Sequence, residues 1–289
     1  MTDMEKLQLF IESWDFFREA ALSGLFSGAL LGALGCYVLH GRLVFMSAAL
    51  SQVSSAGVAG AFWVFSFFGI HAHGTFFPAL VSIVLSLIIF GMMSRPIQTS
   101  KTPDALLAAV YLAGASATVL ICTQIVHEIQ DVQQLLTGNA VLVEHQDFIW
   151  LLILSPLLLA FFIYARRAFE SAMFWPETAH VARIPVHSIR LLIQVILVIV
   201  IASTTRMLGA LPVFAFSCLP AFAAKPASTF RGMFVAAMII GGVCGFGGYV
   251  LAFLADFPVG PAQTALAVMS ACLSWIFTLI MRTLRRKTC

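Results

Sequence analysis

Long apolar runs separated by short polar connections dominate this chain. Each run is close to the roughly 20 residues that a helix needs to cross a bilayer. The sequence lacks the ten-residue apolar and polar alternation of membrane β-strands. It therefore predicts an all-α polytopic membrane protein with about eight to nine transmembrane helices. The nine candidate spans cover about 20–39, 48–69, 75–93, 105–126, 148–165, 190–205, 207–223, 232–254 and 262–281.

Composition supports this interpretation and excludes a water-soluble domain. Hydrophobic residues make up 61% of the 289 positions and charged residues only 10%, with a mean hydropathy of +0.98. Soluble domains have a much larger charged fraction. The six cysteines are scattered and form no C-x-x-C pair, so they indicate neither a disulfide framework nor a thiolate metal site.

The candidate spans 190–205 and 207–223 are the least regular pair. Both are short, Arg206 separates them, and Pro212 and Pro220 interrupt the second. Proline removes a helix hydrogen bond, so one helix followed by a broken helix is the alternative. That alternative gives eight spans and places both termini on one side of the membrane.

The distribution of basic residues favours nine spans with an external N-terminus and a cytoplasmic C-terminus. In that topology all of the 16 Lys and Arg residues except Lys6, Arg18 and Arg206 lie on the cytoplasmic side. Residues 1–19 precede the first span and place apolar side chains at helical spacing between acidic ones, which predicts an amphipathic segment at the membrane interface. Residues 20–289 form the predicted transmembrane domain.

The stretch from Arg42 to Gly60 departs from the composition of a lipid-facing helix. It is rich in Ser, Ala and Gly, which membrane helices place against neighbouring protein. A hydroxyl-rich face inside a helix bundle is suited to a polar solute. We therefore interpret it as the wall of a transport path, with Ser47, Ser51, Gln52 and Ser55 as the candidate path residues.

Two glycine-rich segments have a simpler interpretation. Gly24, Gly28, Gly32 and Gly35 recur along the first span, and a second cluster covers residues 241–248. Small residues at this spacing let two helices approach closely. The chain contains no G-x-x-x-x-G-K-[ST] nucleotide-binding loop, so ATP-driven transport would require a separate ATPase.

Other titratable residues leave two alternatives open. His71, His73, His127 and His145 fall on the predicted external side among carboxylates, where they could capture a metal ion or be solvated loop residues. A proton-coupled carrier usually needs a buried carboxylate or histidine relay, and no such relay is evident in the sequence. This disfavours a secondary carrier, although an ATP-independent carrier or channel remains the alternative function.

Three sequence blocks, in order along the chain, resemble the permease subunit of bacterial ATP-binding-cassette importers for zinc, manganese and iron. Residues 32–52 (GALGCYVLHGRLVFMSAALSQ) are similar to the family segment that leads to G-D-A-L-S-H. Residues 174–186 (FWPETAHVARIPV) resemble its cytoplasmic D-P-E-x-A loop. Residues 208–224 and 253–264 are similar to its L-L-x-x-P-A-x-x-A span and its D-x-P-x-G-P loop, and LTGN at 136–139 is similar to its L-F-G-D.

The resemblance also contains a departure at the positions of the family's ion ligands. The aspartate of G-D-A-L-S-H is replaced by Ala48, and the histidine is replaced by Gln52. Alanine has no lone pair to offer, and an amide oxygen is a poorer zinc ligand than imidazole. The metal ligands are therefore unknown, and a non-transporting relative or a changed substrate is a further alternative.

The resemblance implies partners and a location for the chain. It implies a bacterial inner-membrane permease, itself not an enzyme, that forms a homodimer and works with a cassette ATPase and an extracytoplasmic solute-binding protein. The transported ion would be zinc or manganese, and ATP would be used by the partner subunit. A cytoplasmic coupling loop near residues 166–190 would contact the ATPase. Its contact residues would be Trp175, Pro176, Glu177, Ala179, His180 and Arg183.

Overall fold

A computed structural model describes residues 14–68, 76–99, 103–124, 143–174 and 185–287. Within these ranges the chain forms ten helices. They are α1 (Trp14–His40), α2 (Val44–Phe68), α3 (Phe76–Thr99), α4 (Pro103–Gln124), α5 (His145–Phe174), α6 (Val186–Leu208), α7 (Ala210–Phe216), α8 (Leu219–Ala223), α9 (Phe230–Ala255) and α10 (Val259–Lys287).

The predicted all-α membrane architecture is confirmed. Seven helices in the described residues contain a segment long and apolar enough to cross a membrane. Two shorter apolar helical segments, Pro78–Met92 and Ala210–Ala223, account for the other two predicted spans. Residues 1–13 and 175–184 lie outside the described residues. The interfacial role of residues 1–19 and the coupling loop therefore stay predictions.

The predicted span 207–223 is a broken helix. Gly209 ends α6 with a φ of 88°, a conformation that glycine adopts without strain. Helix α7 then covers only seven residues, and α8 begins beyond Cys218 with Pro220 in its first turn. At 1.5 Å per residue, the seven residues of α7 and the five of α8 amount to roughly 18 Å of helix, which is less than the roughly 30 Å hydrocarbon core.

Helices α1 and α9 form a close interface built on glycine. A Cβ atom added at Gly28 would collide with the carbonyl oxygen of Gly241, and one added at Gly245 would collide with that of Gly24. The two backbones are therefore in direct contact along several turns. Any larger residue at these positions would force the helices apart.

Helix α2 lies inside the bundle against α3, α4, α6 and α7. Two glycines allow its neighbours to approach. A Cβ atom at Gly57 would lie 2.8 Å from Cα of Ser82 on α3, and one at Gly114 of α4 would lie 2.9 Å from the carbonyl carbon of Gln52. The hydroxyl-rich stretch identified in the sequence is thus surrounded by protein.

The outer surface of the bundle is apolar. Helices α4, α5 and α10 expose large side chains, such as Leu112 (61% exposed), Ile163 (61%) and Leu273 (64%). Serine side chains of α2 and α3 face inward instead, with Ser51 and Ser82 fully buried. This inverted distribution, apolar outside and polar within, suits a lipid environment.

Candidate substrate path

The four predicted path residues lie on α2, together with Ala48. At about 100° per residue, Ser47, Ser51, Ser55, Ala48 and Gln52 follow one another around an arc of about 140°. The side chains of Ser47, Ser51 and Ser55 are fully buried, and Ala48 is 6% exposed. The helix therefore does bring the candidate residues onto one face, with Ser47 at one edge and Gln52 at the other.

One edge of this face contacts the broken helix. The hydroxyl of Ser47 donates to the carbonyl of Val44 at 2.8 Å. The hydroxyl of Ser217, at the break between α7 and α8, lies 3.1 Å from Ser47 Oγ and 2.7 Å from the carbonyl oxygen of Phe214. The Ser217 hydroxyl therefore joins α2 to the segment in which the helix is interrupted twice, at Gly209 and again at Ser217 and Cys218.

The hydroxyl of Ser51 is satisfied within its own helix. It donates to the carbonyl of Ala48 at 2.9 Å. A hydroxyl that donates one bond keeps its lone pairs as acceptor sites. Ser51 therefore offers an oxygen without requiring a partner on another helix.

A second polar contact lies beside the Ser47 edge. Ser54 Oγ is 3.0 Å from Ser82 Oγ of α3, and the two hydroxyls lie 3.3 and 3.4 Å from the carbonyl oxygen of Ala202 on α6. All three helices are thus joined at one buried point. Ser54 belongs to the hydroxyl-rich stretch from Arg42 to Gly60 but was not among the four predicted path residues, and Ser82 was missed because the pairing depends on how the helices pack.

Gln52 is half-buried, and the oxygen of its amide is enclosed by the bundle. Its Oε1 atom is inaccessible to solvent and lacks a hydrogen-bond partner in the described structure. Burying an amide oxygen without a partner costs about 1–3 kcal/mol. Oε1 of Gln263, at the interface of α1 and α9, lacks a partner as well, so this feature alone does not mark a binding site. What sets Gln52 apart is its place on the α2 face beside the buried serines, where its oxygen is available to a cation or a donor.

The face as a whole offers neutral oxygen atoms. Across the described residues, no group of three or more His, Cys, Asp or Glu side chains could hold a metal ion. The candidate oxygens come from serine hydroxyls, backbone carbonyls and the Gln52 amide. Because the serines are fully buried, the helices must separate before a solute can reach them.

His145, one of the four predicted external histidines, and the neighbouring carboxylates Glu144 and Asp147 contact side chains of other helices. Nδ1 of His145 lies 2.7 Å from Oε1 of Glu19 on α1. Arg206, whose side chain is only 6% exposed, lies 2.6 Å from Asp147 and 3.5 Å from Glu144. These contacts connect the start of α5 to α1 and to the end of α6. His71, His73 and His127 lie outside the described residues.

The predicted ATPase contacts of Trp175, Pro176, Glu177, Ala179, His180 and Arg183 also lie outside the described residues. What the structure does describe is the two helices that flank them. Helix α5 continues to Phe174, and α6 begins at Val186. The guanidinium of Arg190 on α6 lies 3.5 Å from the carbonyl oxygen of Ala172 on α5, which connects the two flanking helices.

The fold and the buried polar face define the class: a polytopic helical membrane protein with an internal polar surface. Residues 13–279 match the ABC 3 transport family, and the chain belongs to that family. The resemblance inferred from the sequence blocks is therefore confirmed at the level of the family.

Comparison with individual proteins gives distant but nearly full-length similarity. The chain is 24% identical to the high-affinity zinc uptake system membrane protein ZnuB of Haemophilus influenzae, over 84% of this chain and 90% of that protein. It is 25% identical to an uncharacterized membrane protein of Cyanophora paradoxa, over 85% and 80% of the two chains. In fold it is similar to a chain of PsaBC from Streptococcus pneumoniae in complex with Fab, with a TM-score of 0.80, 18% identity and coverage of 93% and 95%.

Proposed function

We propose that this chain is the membrane permease subunit of an ATP-binding-cassette importer, and that it carries a divalent metal cation, zinc or manganese, by alternating access. The observation that carries the proposal is the match of residues 13–279 to the ABC 3 transport family. The similarity to a zinc uptake membrane protein supports a metal as the substrate. The substrate path follows the face of α2 that includes Ser47, Ser51, Gln52 and Ser55.

The chemistry of that face favours one of the two ions. Zinc prefers imidazole and thiolate ligands, whereas oxygen ligands suit manganese. With Ala48 and Gln52 at the family's ligand positions, the face supplies oxygen atoms of hydroxyl, amide and carbonyl groups. A partly hydrated manganese ion is therefore the better match, and a competition between the two ions in an uptake assay is the direct comparison.

The remaining parts of the proposal concern topology and partners. The chain lies in a bacterial inner membrane with its N-terminus outside and its C-terminus in the cytoplasm, as the distribution of basic residues favours. Two copies form a homodimer around a shared path. A solute-binding protein delivers the ion from outside, and a separate ATPase drives closure through residues 175–183.

Copurification and reconstitution test the class of transporter. The permease should copurify with a cassette ATPase, and proteoliposomes that contain both should accumulate metal only when ATP is supplied. An ATPase variant without its catalytic carboxylate is the matched control. If the purified chain alone transports metal and no ATPase associates with it, the chain is an ATP-independent carrier or channel and the proposal is wrong.

Restoring the family's ligand pair tests the substrate. The double substitution Ala48→Asp with Gln52→His should raise zinc uptake relative to manganese uptake, because a carboxylate and an imidazole bind zinc better than an amide does. If the parent chain transports neither metal and the double variant transports zinc, the chain is a non-transporting relative or serves another substrate.

A further inference from the structure

A cleft between α1, α5 and α9 lies away from the path on α2. Its volume is about 250 Å³. Aromatic rings form its inner wall, and two of them, Tyr37 (2% exposed) and Phe162 (1%), are buried in the core. The ring centroids of Tyr37 and Phe162 are 5.1 Å apart, and those of Tyr37 and Phe230 are 5.4 Å apart. Such closely packed rings give the cleft a fixed, apolar wall.

The mouth of the cleft opens on the apolar surface of the bundle. Ile163 and Val235 line it and are 61% and 48% exposed. Both belong to segments that are long and apolar enough to cross a membrane. Hydrocarbon chains of the bilayer therefore have access to the cleft from the side.

Charged groups lie at one end of the same cleft. Arg166 and Glu170 are one turn apart on α5, and Arg231 is in the first turn of α9. Two guanidinium groups against one carboxylate leave an excess of positive charge. This end is the predicted cytoplasmic end of both helices, where a phospholipid head group of the inner leaflet would lie.

We propose that this cleft binds an anionic phospholipid, with its phosphate at Arg166 and Arg231 and an acyl chain along Phe234 and the exposed side chains of Ile163 and Val235. The combination of an apolar wall and a basic end matches an amphiphile. A free anion would leave the apolar wall uncovered. Guanidinium forms bidentate bonds with phosphate oxygens, which gives the site a preference over zwitterionic lipid.

Native mass spectrometry of the purified full-length chain tests the charged end. Phosphatidylglycerol and phosphatidylcholine with identical acyl chains would be titrated separately. The chain should bind phosphatidylglycerol more tightly, and Arg231→Gln should weaken that binding about tenfold, equivalent to about 1.4 kcal/mol, because it removes charge-assisted hydrogen bonds to the phosphate. Arg167→Gln is the matched control, because Arg167 is exposed on α5 and does not line the cleft. Equal losses in the two variants, or equal affinity for the two lipids, would overturn the proposal.

A steric substitution tests the apolar wall without changing charge. Val235→Trp should fill the mouth of the cleft and reduce lipid retention. Val243→Trp, on the same helix and 64% exposed, should leave retention unchanged. Thermal unfolding of each variant confirms that the bundle is intact. If Arg231→Gln and Val235→Trp retain phosphatidylglycerol but no longer copurify with the ATPase, the cleft is a protein-docking surface and the lipid proposal is wrong.

Discussion

Helices α1 and α2 both carry small residues at four-residue spacing, yet the structure uses the two patterns differently. Gly24, Gly28 and Gly32 bring the backbone of α1 against that of α9, with no room for even one added methyl group. Ser47 and Ser51 place hydroxyl groups inside the bundle and are fully buried by neighbouring helices. The first interface is a backbone contact, and the second is a polar surface held between helices.

The comparison shows what distinguishes packing from a path in a membrane protein. Small size alone serves both purposes, because it permits close approach. A missing hydrogen-bond partner does not separate the two regions, because Oε1 of Gln52 on α2 and Oε1 of Gln263 at the glycine interface both lack one. What differs is the contact itself, which is backbone against backbone along α1 and α9 but serine hydroxyl groups between α2 and its neighbours. A closely packed interface has to resist separation, whereas the helices along a path have to separate during transport. Substitutions in the glycine interface should therefore lower stability, whereas substitutions on the α2 face should lower uptake without lowering stability.

The largest expected effect is on the glycine interface. Gly28→Ala should destabilise the protein by about 3 kcal/mol, because the new Cβ atom would collide with the carbonyl oxygen of Gly241 and overpack the interface. Gly247→Ala on α9 is the matched control, since its nearest neighbour would be Leu266 Cδ1 at an ordinary 3.5 Å. Thermal unfolding in detergent measures both. Equal melting temperatures for the Gly28→Ala and Gly247→Ala variants would contradict the backbone contact between α1 and α9.

The next effect separates function from stability on α2. Gln52→Leu should lower metal uptake about tenfold without lowering the melting temperature. A tenfold lower rate corresponds to an activation free energy that is about 1.4 kcal/mol higher. Stability should not fall because the substitution removes a buried oxygen that lacks a partner. Uptake is measured per mole of folded protein in proteoliposomes with the ATPase. Unchanged uptake would remove Gln52 from the path.

A matched glutamine lies at the glycine interface. Gln263 is 1% exposed, and its Nε2 atom donates to the carbonyl of Gly245 at 2.9 Å, while its Oε1 atom lacks a partner as that of Gln52 does. Gln263→Leu should leave uptake per folded molecule unchanged, because this side chain contacts the α1 and α9 interface rather than α2. If this variant loses uptake as strongly as Gln52→Leu, the functional distinction between the two regions is wrong.

The smallest effect concerns the hydroxyl pair on α2 and α3. A double-mutant cycle of Ser54→Ala and Ser82→Ala should give a coupling energy of about 0.6 kcal/mol, the average for hydrogen bonds between membrane helices. The readout is the free energy of unfolding in mixed micelles. A coupling near zero would indicate that each hydroxyl is satisfied by the carbonyl of Ala202 alone.

The sequence predicted the fold because membrane helices are constrained by length and hydropathy. Even the interruption near residue 207 had local signals in Arg206, Pro212 and Pro220. It did not show that Gly209 makes the break, because the φ of 88° there is a property of the packed chain. Nor did it show that Arg206 is held by Asp147 and Glu144, which approach from a distant part of the sequence.

The candidate site was predictable only as a helix face. The order of hydroxyl residues along α2 was sufficient to place Ser47, Ser51 and Ser55 together, because helical periodicity is local. The contacts of Ser47 with Ser217, and of Ser54 with Ser82, depend on tertiary packing that no local pattern specifies. The missing partner of Gln52 Oε1 is likewise visible only when every neighbour is in place.

Thiol accessibility during transport tests the central claim most directly. In a cysteine-free background, one variant would carry Ser51→Cys and a second would retain the native Cys36, which is fully buried beside the α1 and α9 interface. Both would be treated with a small cationic methanethiosulfonate reagent in proteoliposomes containing the ATPase. The cysteine at position 51 should be modified only during ATP turnover and be protected by the transported metal, while Cys36 stays unmodified. An unreactive position 51 during turnover, or equal modification of both positions, would contradict a path along α2.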